Sequence, residues 1–444
     1  MTGAKLVVGN ELLEGGIAIE NGKIVKIGRD HHLPKADLTI DAEGCVALPG
    51  LIDVHVHLRD LELSYKEDFF TGTCAAAAGG FTTVIDMPNT IPPTNSAERI
   101  RAKAQAARKK IIVNVGFFGA LSTDRDETER MARAGAVAFK LNLHKPIGNI
   151  EIGDDTTLQR CISQAAEQGK VVAIHAEDGL LIQRLQSRLA SKGKSGLEDF
   201  AKAHPPRAEL GAVARFLRVA EHTRGRVHLC HLSLSRSVEL MRKSLKEGLC
   251  VSCEVTPHHM FLTNATVREK GATAVVAPPL RTRNEARELR RAFRNGSIDI
   301  VASDHAPHGL LEKQMDDAWS VATGMPGLET TLPLLLTQVN RGETNLQRIA
   351  DALARRPAEV FNLRGKGSLA VGSDGDITLV DLRAKHRIDS SKFHSKAKFS
   401  PFDKVQCKGR PVKTIVSGRL VMDHGEILGQ PGFGSVIGAS YAWD

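Results

Sequence analysis

Aromatic residues are scarce in this chain, 4% of its 444 residues with two Trp and two Tyr, so a stacking platform for single-stranded nucleic acid is not expected. Cysteine is equally thin. Seven in a chain this long, an odd number, do not make a disulfide framework. The lone Cys250-Val251-Ser252-Cys253 has no second pair and lies in a strand-like run, where residues three apart face opposite sides; these read as buried, reduced thiols. No apolar run reaches the roughly 18 residues of a membrane span, and the N-terminus lacks a basic-apolar-small leader pattern. The expectation is a soluble, cytoplasmic protein that binds neither membrane nor nucleic acid. Blocks of one charge are missing too. The formal net charge of +9 is scattered, and its densest stretch, Arg281 to Arg294, is interleaved with Asn284, Glu285 and Glu288 as on a solvated helix face. Such an excess suits a negatively charged small molecule.

What is present is a large apolar fraction, 42%, enough for one large domain and a smaller companion. Both ends read as short β elements. Gly16–Glu20, an Asn21-Gly22 turn and Lys23–Ile27 form a hairpin signal, and Leu38 to Leu48 suggests a further strand pair. The style returns at Asp376–Val380, Val412–Val416 and Arg419–Met422, so residues 1–49 and 366–444 are expected to meet in one small β-sandwich domain. Between them, eight apolar runs of strand character alternate with helical segments: 51–57, Thr82–Asp86, Ile111–Gly116, Ala136–Leu141, Val171–His175, Val227–His231, Leu249–Val255 and Ile298–Ser303. Eight such units over residues 50–365 predict an α/β fold, a (β/α)8 TIM-type barrel, whose chemistry would lie at the C-terminal ends of its strands.

That rule sorts the polar residues. In Asp53-Val54-His55-Val56-His57, alternate positions on a strand put both histidines on one face. Taken alone, an HxH of this kind is as compatible with two core histidines as with a metal site. Other strand ends carry Lys140, His175, His231 and, after the eighth run, Asp304, and such convergence is hard to reach by accident. Four imidazoles and a carboxylate suit zinc or a similar divalent ion. Lys140 fits poorly as it stands, because an ammonium has no lone pair. A CO2 adduct on its amine would be an anionic, two-oxygen bridge between two metals; an ordinary lysine at the core's edge is the alternative.

In motif content the chain resembles the amidohydrolase superfamily and, within it, the long two-domain dihydroorotases. The resemblance rests on Asp53–Arg59, Lys66-Glu67-Asp68, Asp86-Met87-Pro88-Asn89-Thr90, Phe139-Lys140, His175-Ala176-Glu177, His228–Ser233, Cys253–His259, Pro278–Arg281, Ser303–His308 and Pro326–Thr330, in the family's order. It implies reversible cyclisation of N-carbamoyl-L-aspartate to L-dihydroorotate in pyrimidine synthesis. It further implies two zinc ions per chain: His55 and His57 with Asp304 on one, His175 and His231 on the other, and carboxylated Lys140 bridging them. Asp304 would shuttle the proton. Arg59, Asn89 and His308 match the residues that grip the substrate carboxylate, and backbone near Leu280, Thr323 and Gly324 would contact the ring.

There are departures. Relatives commonly have Pro-Gly where this chain has Leu61-Glu62-Leu63, and a polar residue where it has Ala277; no role attaches to His144-Lys145-Pro146. A sister cyclic amidase, such as an allantoinase or hydantoinase, would share the metal ligands. A non-catalytic scaffold homologue would usually lose one or more of them. A homodimer and an association with aspartate transcarbamoylase are further expectations; the native metal is not legible.

Overall fold

The structure is a computed structural model and describes residues 1–438 except 148–149, 151–152, 224 and 316. Four N-terminal strands, β1 (Ala4–Val8), β2 (Glu11–Glu20), β3 (Lys23–Gly28) and β4 (Val46–Pro49), precede the eight strands of the middle. These are β5 (Leu51–Val56), β6 (Phe81–Asp86), β7 (Asn114–Ala120), β8 (Ala136–Asn142), β9 (Val171–His175), β10 (Arg226–Leu229), β11 (Val251–Val255) and β12 (Ile300–Val301). They pair in parallel in chain order, and Val56 bridging His305, with His57 N–H donating to His305 O at 2.8 Å, joins the last unit to the first. The fold is an α/β TIM-type barrel. Its strands read as near-continuous buried apolar residues because both faces are covered, the outer one by helices.

The C-terminal strands β13 (Ile377–Arg387), β14 (Gln406–Val416), β15 (Arg419–Asp423) and β16 (Glu426–Ile427) join the N-terminal ones in a second eight-stranded sheet, ordered β16-β15-β14-β13-β4-β1-β2-β3. Antiparallel pairing of β13 with β4 is the seam where the two ends of the chain meet. Among the described residues no helix is long and apolar enough to cross a membrane.

Two expectations shift. Leu38 to Leu48 yields one strand, not a pair: Asp41 Oδ1 accepts from Glu43 N–H at 2.9 Å and Ala42 O from Cys45 N–H at 3.0 Å. That turn uses the backbone groups a first strand would need, and Leu38 stays exposed. The third barrel strand begins at Asn114, not Ile111, because Ile111 O is taken by Gly432 and Gly434 N–H from the C-terminal segment. An apolar run there marks burial under that segment rather than barrel pairing.

Candidate active site

The strand ends carry their side chains into a cavity of about 460 Å³. His55, His57, Arg59, Asn89, Lys140, His175, His231, Asp304, His308, Thr323 and Gly324 all line it, so the structure brings these sequence-derived candidates together. Leu280 is the one it does not. Its side chain packs in a separate apolar cluster with Met325 and Leu334, and Ala277 reaches the cavity in that region. His144, Lys145 and Pro146 also line it, and Leu61–Leu63 does not: that stretch is a short 3-10 turn capped by Asp60.

One end of the cavity is a nest of donor atoms. Asp304 Oδ1 lies 3.1 Å from His57 Nε2 and 3.3 Å from His55 Nε2. His175 Nδ1 and His231 Nε2 face each other at 3.1 Å. His55, His231 and Asp304 offer ligand atoms all within 4.8 Å of one another, and buried His231 Nδ1 has no hydrogen-bond partner. Burial first, then the neighbouring imidazole and Lys140 charges, push His231 well below the ordinary histidine range, leaving a neutral ring with a lone pair. His57 falls to about 4, chiefly by burial, while the same histidines hold Asp304 as a carboxylate against its own burial. His55 differs: burial and Lys140 oppose its protonation, but Glu254 and Asp304 outweigh them and lift it to about 10. Neutral imidazoles at His57, His175 and His231 beside a carboxylate fit a divalent cation, which would take the place of the proton on His55.

Three of these imidazoles, those of His55, His57 and His175, are held from behind, and His231 is held through its backbone N–H. Glu254 Oε1 takes His55 Nδ1 at 2.5 Å and the His231 backbone N–H at 3.2 Å, while its other oxygen takes His228 Nε2 at 3.1 Å. Glu177 takes His175 Nε2 at 3.0 Å and His204 Nδ1 at 3.1 Å. Asn89 Oδ1 takes His57 Nδ1 at 2.7 Å, so this residue, expected on the substrate, also orients a candidate ligand. Carboxylates behind imidazoles fix the ring tautomer and raise its basicity. Sequence reasoning gave Glu177 and Glu254 no role; the signal available was a carboxylate sitting inside an otherwise apolar strand or at its end.

Lys140 is buried, and its Nζ donates to Cys230 Sγ at 3.0 Å, with no carboxylate paired to it among the described residues. A buried ammonium without an anion is costly.

The cavity's other end is built from loops. Arg59 lies just past β5 in a left-handed stretch of three consecutive non-glycine residues: Arg59 (φ 59°), Asp60 (φ 28°) and Leu61 (φ 55°). Such backbone costs energy and persists only where its surroundings enforce it. Here Asp60 is the fastening, accepting from Phe69 N–H at 2.8 Å and pairing with Lys110 at 3.0 Å. The buried guanidinium donates to Pro307 O at 3.3 Å and lies 3.2 Å from His308 Nε2, with no ion pair among the described residues. Lys313, which sequence reasoning missed, is buried and donates to Ala322 O, Gly324 O and Val275 O at 2.7, 2.8 and 3.2 Å. It pins the strip that carries Thr323 and Gly324. Gly324 adopts φ 133°, and a Cβ there would lie 2.6 Å from the Ala306 Cβ, so this wall needs glycine.

A model of the amidohydrolase family matches residues 46–421. A dihydroorotase of Methanosarcina acetivorans is 36% identical, over 98% of this chain and 94% of its own. An L-hydantoinase of Paenarthrobacter aurescens is 33% identical over 98% and 96%. Among solved structures, the L-hydantoinase (dihydropyrimidinase) from Arthrobacter aurescens superposes with a TM-score of 0.95, at 33% identity and 98% of both chains. The dihydropyrimidinase from Brevibacillus agri gives 0.91 at 27%, over 100% of this chain and 99% of its own.

Proposed function

The chain belongs to the amidohydrolase family and is a hydrolase acting on a cyclic amide; from that premise we propose that it is a dihydroorotase, interconverting N-carbamoyl-L-aspartate and L-dihydroorotate in pyrimidine synthesis. The observation that carries this reading is the Arg59 guanidinium, buried at the cavity wall without an ion pair among the described residues. A buried cation facing a substrate cavity calls for an anionic substrate, and a guanidinium forks onto a carboxylate in two parallel hydrogen bonds. Dihydroorotate carries that carboxylate; hydantoin does not.

His55, His57, His175, His231 and Asp304 would hold two divalent ions, zinc by their chemistry, with a carbamate on Lys140 between them. The adduct turns an uncompensated buried positive charge into a negative one beside a cluster of cation ligands. When bound, the ions supply Lewis acidity toward the ring carbonyl and lower the pKa of water at the site toward neutrality. Asp304, a carboxylate at neutral pH, accepts the proton of the attacking water and passes it to the departing ring nitrogen. In the synthetic direction it delivers that proton back. Arg59, Asn89 and His308 hold the free carboxylate, and the Thr323-Gly324 strip bounds the ring. On this reading residues 50–365 form a catalytic domain and residues 1–49 with 366–444 a companion, in a cytoplasmic enzyme that works as a homodimer, with aspartate transcarbamoylase as a candidate partner.

The second reading is an L-hydantoinase, favoured by the 0.95 superposition at 33% identity. Turnover of dihydroorotate, allantoin and hydantoin by protein reconstituted with each divalent metal separates the two. Dihydroorotate is expected to be the best substrate, and no turnover of it with any metal would sink the proposal. Lys140→Ala is expected to lose about half the bound metal and most activity, with partial rescue by short carboxylic acids. A bare Lys140 amine in a high-resolution map of the metal-loaded protein would overturn the bridge.

A further inference from the structure

His308 is the substrate-facing residue whose surroundings hold most charge. Its ring stands between Arg59, with Nη2 at 3.2 Å from Nε2, and Lys66, with Nζ at 3.3 Å from Nδ1. Thr323 O lies 3.0 Å from Nε2. Lys66, largely buried, is paired with Glu312 Oε1 at 2.6 Å, and Glu312 Oε2 lies 3.7 Å from His308 Nδ1. Lys313 completes the ring of charge from below, its amine committed to three carbonyls. Burial first, then Arg59, Lys66 and Lys313, lower His308 to about 2, so it is a neutral imidazole with one proton to place.

Its neighbours decide where that proton sits. Nε2 meets both a donor, Arg59, and an acceptor, Thr323 O, so the decision falls to Nδ1: the Lys66 ammonium on it only donates, Nδ1 must present a lone pair, and the one hydrogen of the neutral ring sits on Nε2 toward Thr323 O. The consequence reaches the cavity. With hydrogen on Nε2, the ring and Arg59 Nη2 are two donors 3.2 Å apart, an arrangement that an anion relieves by accepting from Arg59 and sharing the Nε2 hydrogen with Thr323 O. With the proton on Nδ1 instead, Nε2 would offer a lone pair to Arg59 and repel a carboxylate. Glu312 is placed to capture an Nδ1 proton once Lys66 is gone.

We propose that Lys66 is a positioning residue for acid recognition: by occupying His308 Nδ1 and holding Glu312 away from it, Lys66 keeps an N–H beside Arg59, and so selects rings that carry a carboxylate over neutral ones. The inference deepens the dihydroorotase reading and rests on it for the identity of the anion.

The test uses the metal-loaded full chain. Lys66→Met is expected to raise KM for dihydroorotate roughly 10- to 100-fold, the range for losing one charge-assisted hydrogen bond, with kcat changed far less and hydantoin turnover little affected. Long-range proton–nitrogen spectra of histidine-labelled protein should show the His308 proton on Nε2 in the parent and on Nδ1 in Lys66→Met. Adding Glu312→Ala removes the competing acceptor and should return the proton to Nε2 and recover part of the KM. An unchanged KM in Lys66→Met overturns the inference. So does a raised KM with the proton still on Nε2 and no recovery in the double variant, which would reduce Lys66 to a plain surface of charge. Should the parent fail on dihydroorotate, the functional reading falls, and the spectra alone then decide the role of Lys66.

Discussion

The two ends of the cavity solve the problem of buried charge in opposite ways. At the imidazole end three of the four histidines that could serve a metal have a carboxylate or amide behind the ring, His55 on Glu254, His175 on Glu177 and His57 on Asn89, while His231 is held through its backbone. At the loop-built end the cations Arg59, Lys66 and Lys313 have one ion pair between them among the described residues, Lys66 with Glu312; Arg59 feels Asp304 and Asp86 only at a distance, and Lys313 rests on carbonyls. The first end offers lone pairs and carboxylates to cations, with the Lys140 ammonium the one group out of keeping, and the second offers donors to an anion. Pre-paid strain and charge of this kind are how a site binds one chemical class ahead of another.

That contrast can be broken at either end. The largest effect should follow Arg59→Met, which leaves the substrate carboxylate without its fork: kcat/KM for dihydroorotate should fall roughly 10²- to 10³-fold, as for losing one partner of a buried charge pair, while metal content stays that of the parent. Steady-state kinetics beside metal analysis would show it; a loss of metal would mean that the two ends are not separable. Next comes Glu177→Gln at the other end. Removing the charge behind His175 should weaken metal binding about 10- to 100-fold in chelator competition, with little change in the KM of the fully loaded enzyme. Equal metal affinity would show that Glu177 serves His204 alone.

The smallest change in activity belongs to Lys313→Met, whose signature is in stability. Burial lowers the Lys313 amine from 10.5 to about 7, so above pH 7 the folded chain has released a proton that the unfolded chain keeps until about 10.5. The unfolded state binds more protons across that window, and the contribution of Lys313 to stability therefore rises with pH from about 7 to 10.5. Urea midpoints of the parent at pH 7 and pH 9 should climb relative to those of Lys313→Met. Parallel midpoints would show that the three carbonyls keep the amine protonated above pH 7.

The imidazole end was legible in the sequence because its side chains stand at the ends of regular strands, where a period of two and the barrel's polarity decide which way they face. The supports behind them were not, since Glu254 reaches His55 across 199 positions and no local pattern carries that distance. The other end was legible only through Arg59, Asn89 and His308. Lys66 meets His308 from 242 positions away, on a loop whose path periodicity does not determine. Leu280 was placed by motif order alone, and its packing in the cluster with Met325 and Leu334 shows how far a loop can turn within three residues of Ala277. The same limit explains Leu38 to Leu48: side-chain pattern suggested strands, and a backbone turn at Asp41 decided otherwise.

The backbone at Leu61 bears on anyone who would edit this chain toward its relatives. Their common proline at this position demands φ near −65°, and Leu61 holds +55°, a rotation no ring pucker can absorb. A consensus swap there would be a transplant between incompatible hosts. The graft would unseat the turn that aims Arg59, so such a swap cannot be made one letter at a time; the whole segment from Arg59 to Lys66 has to travel as a cassette.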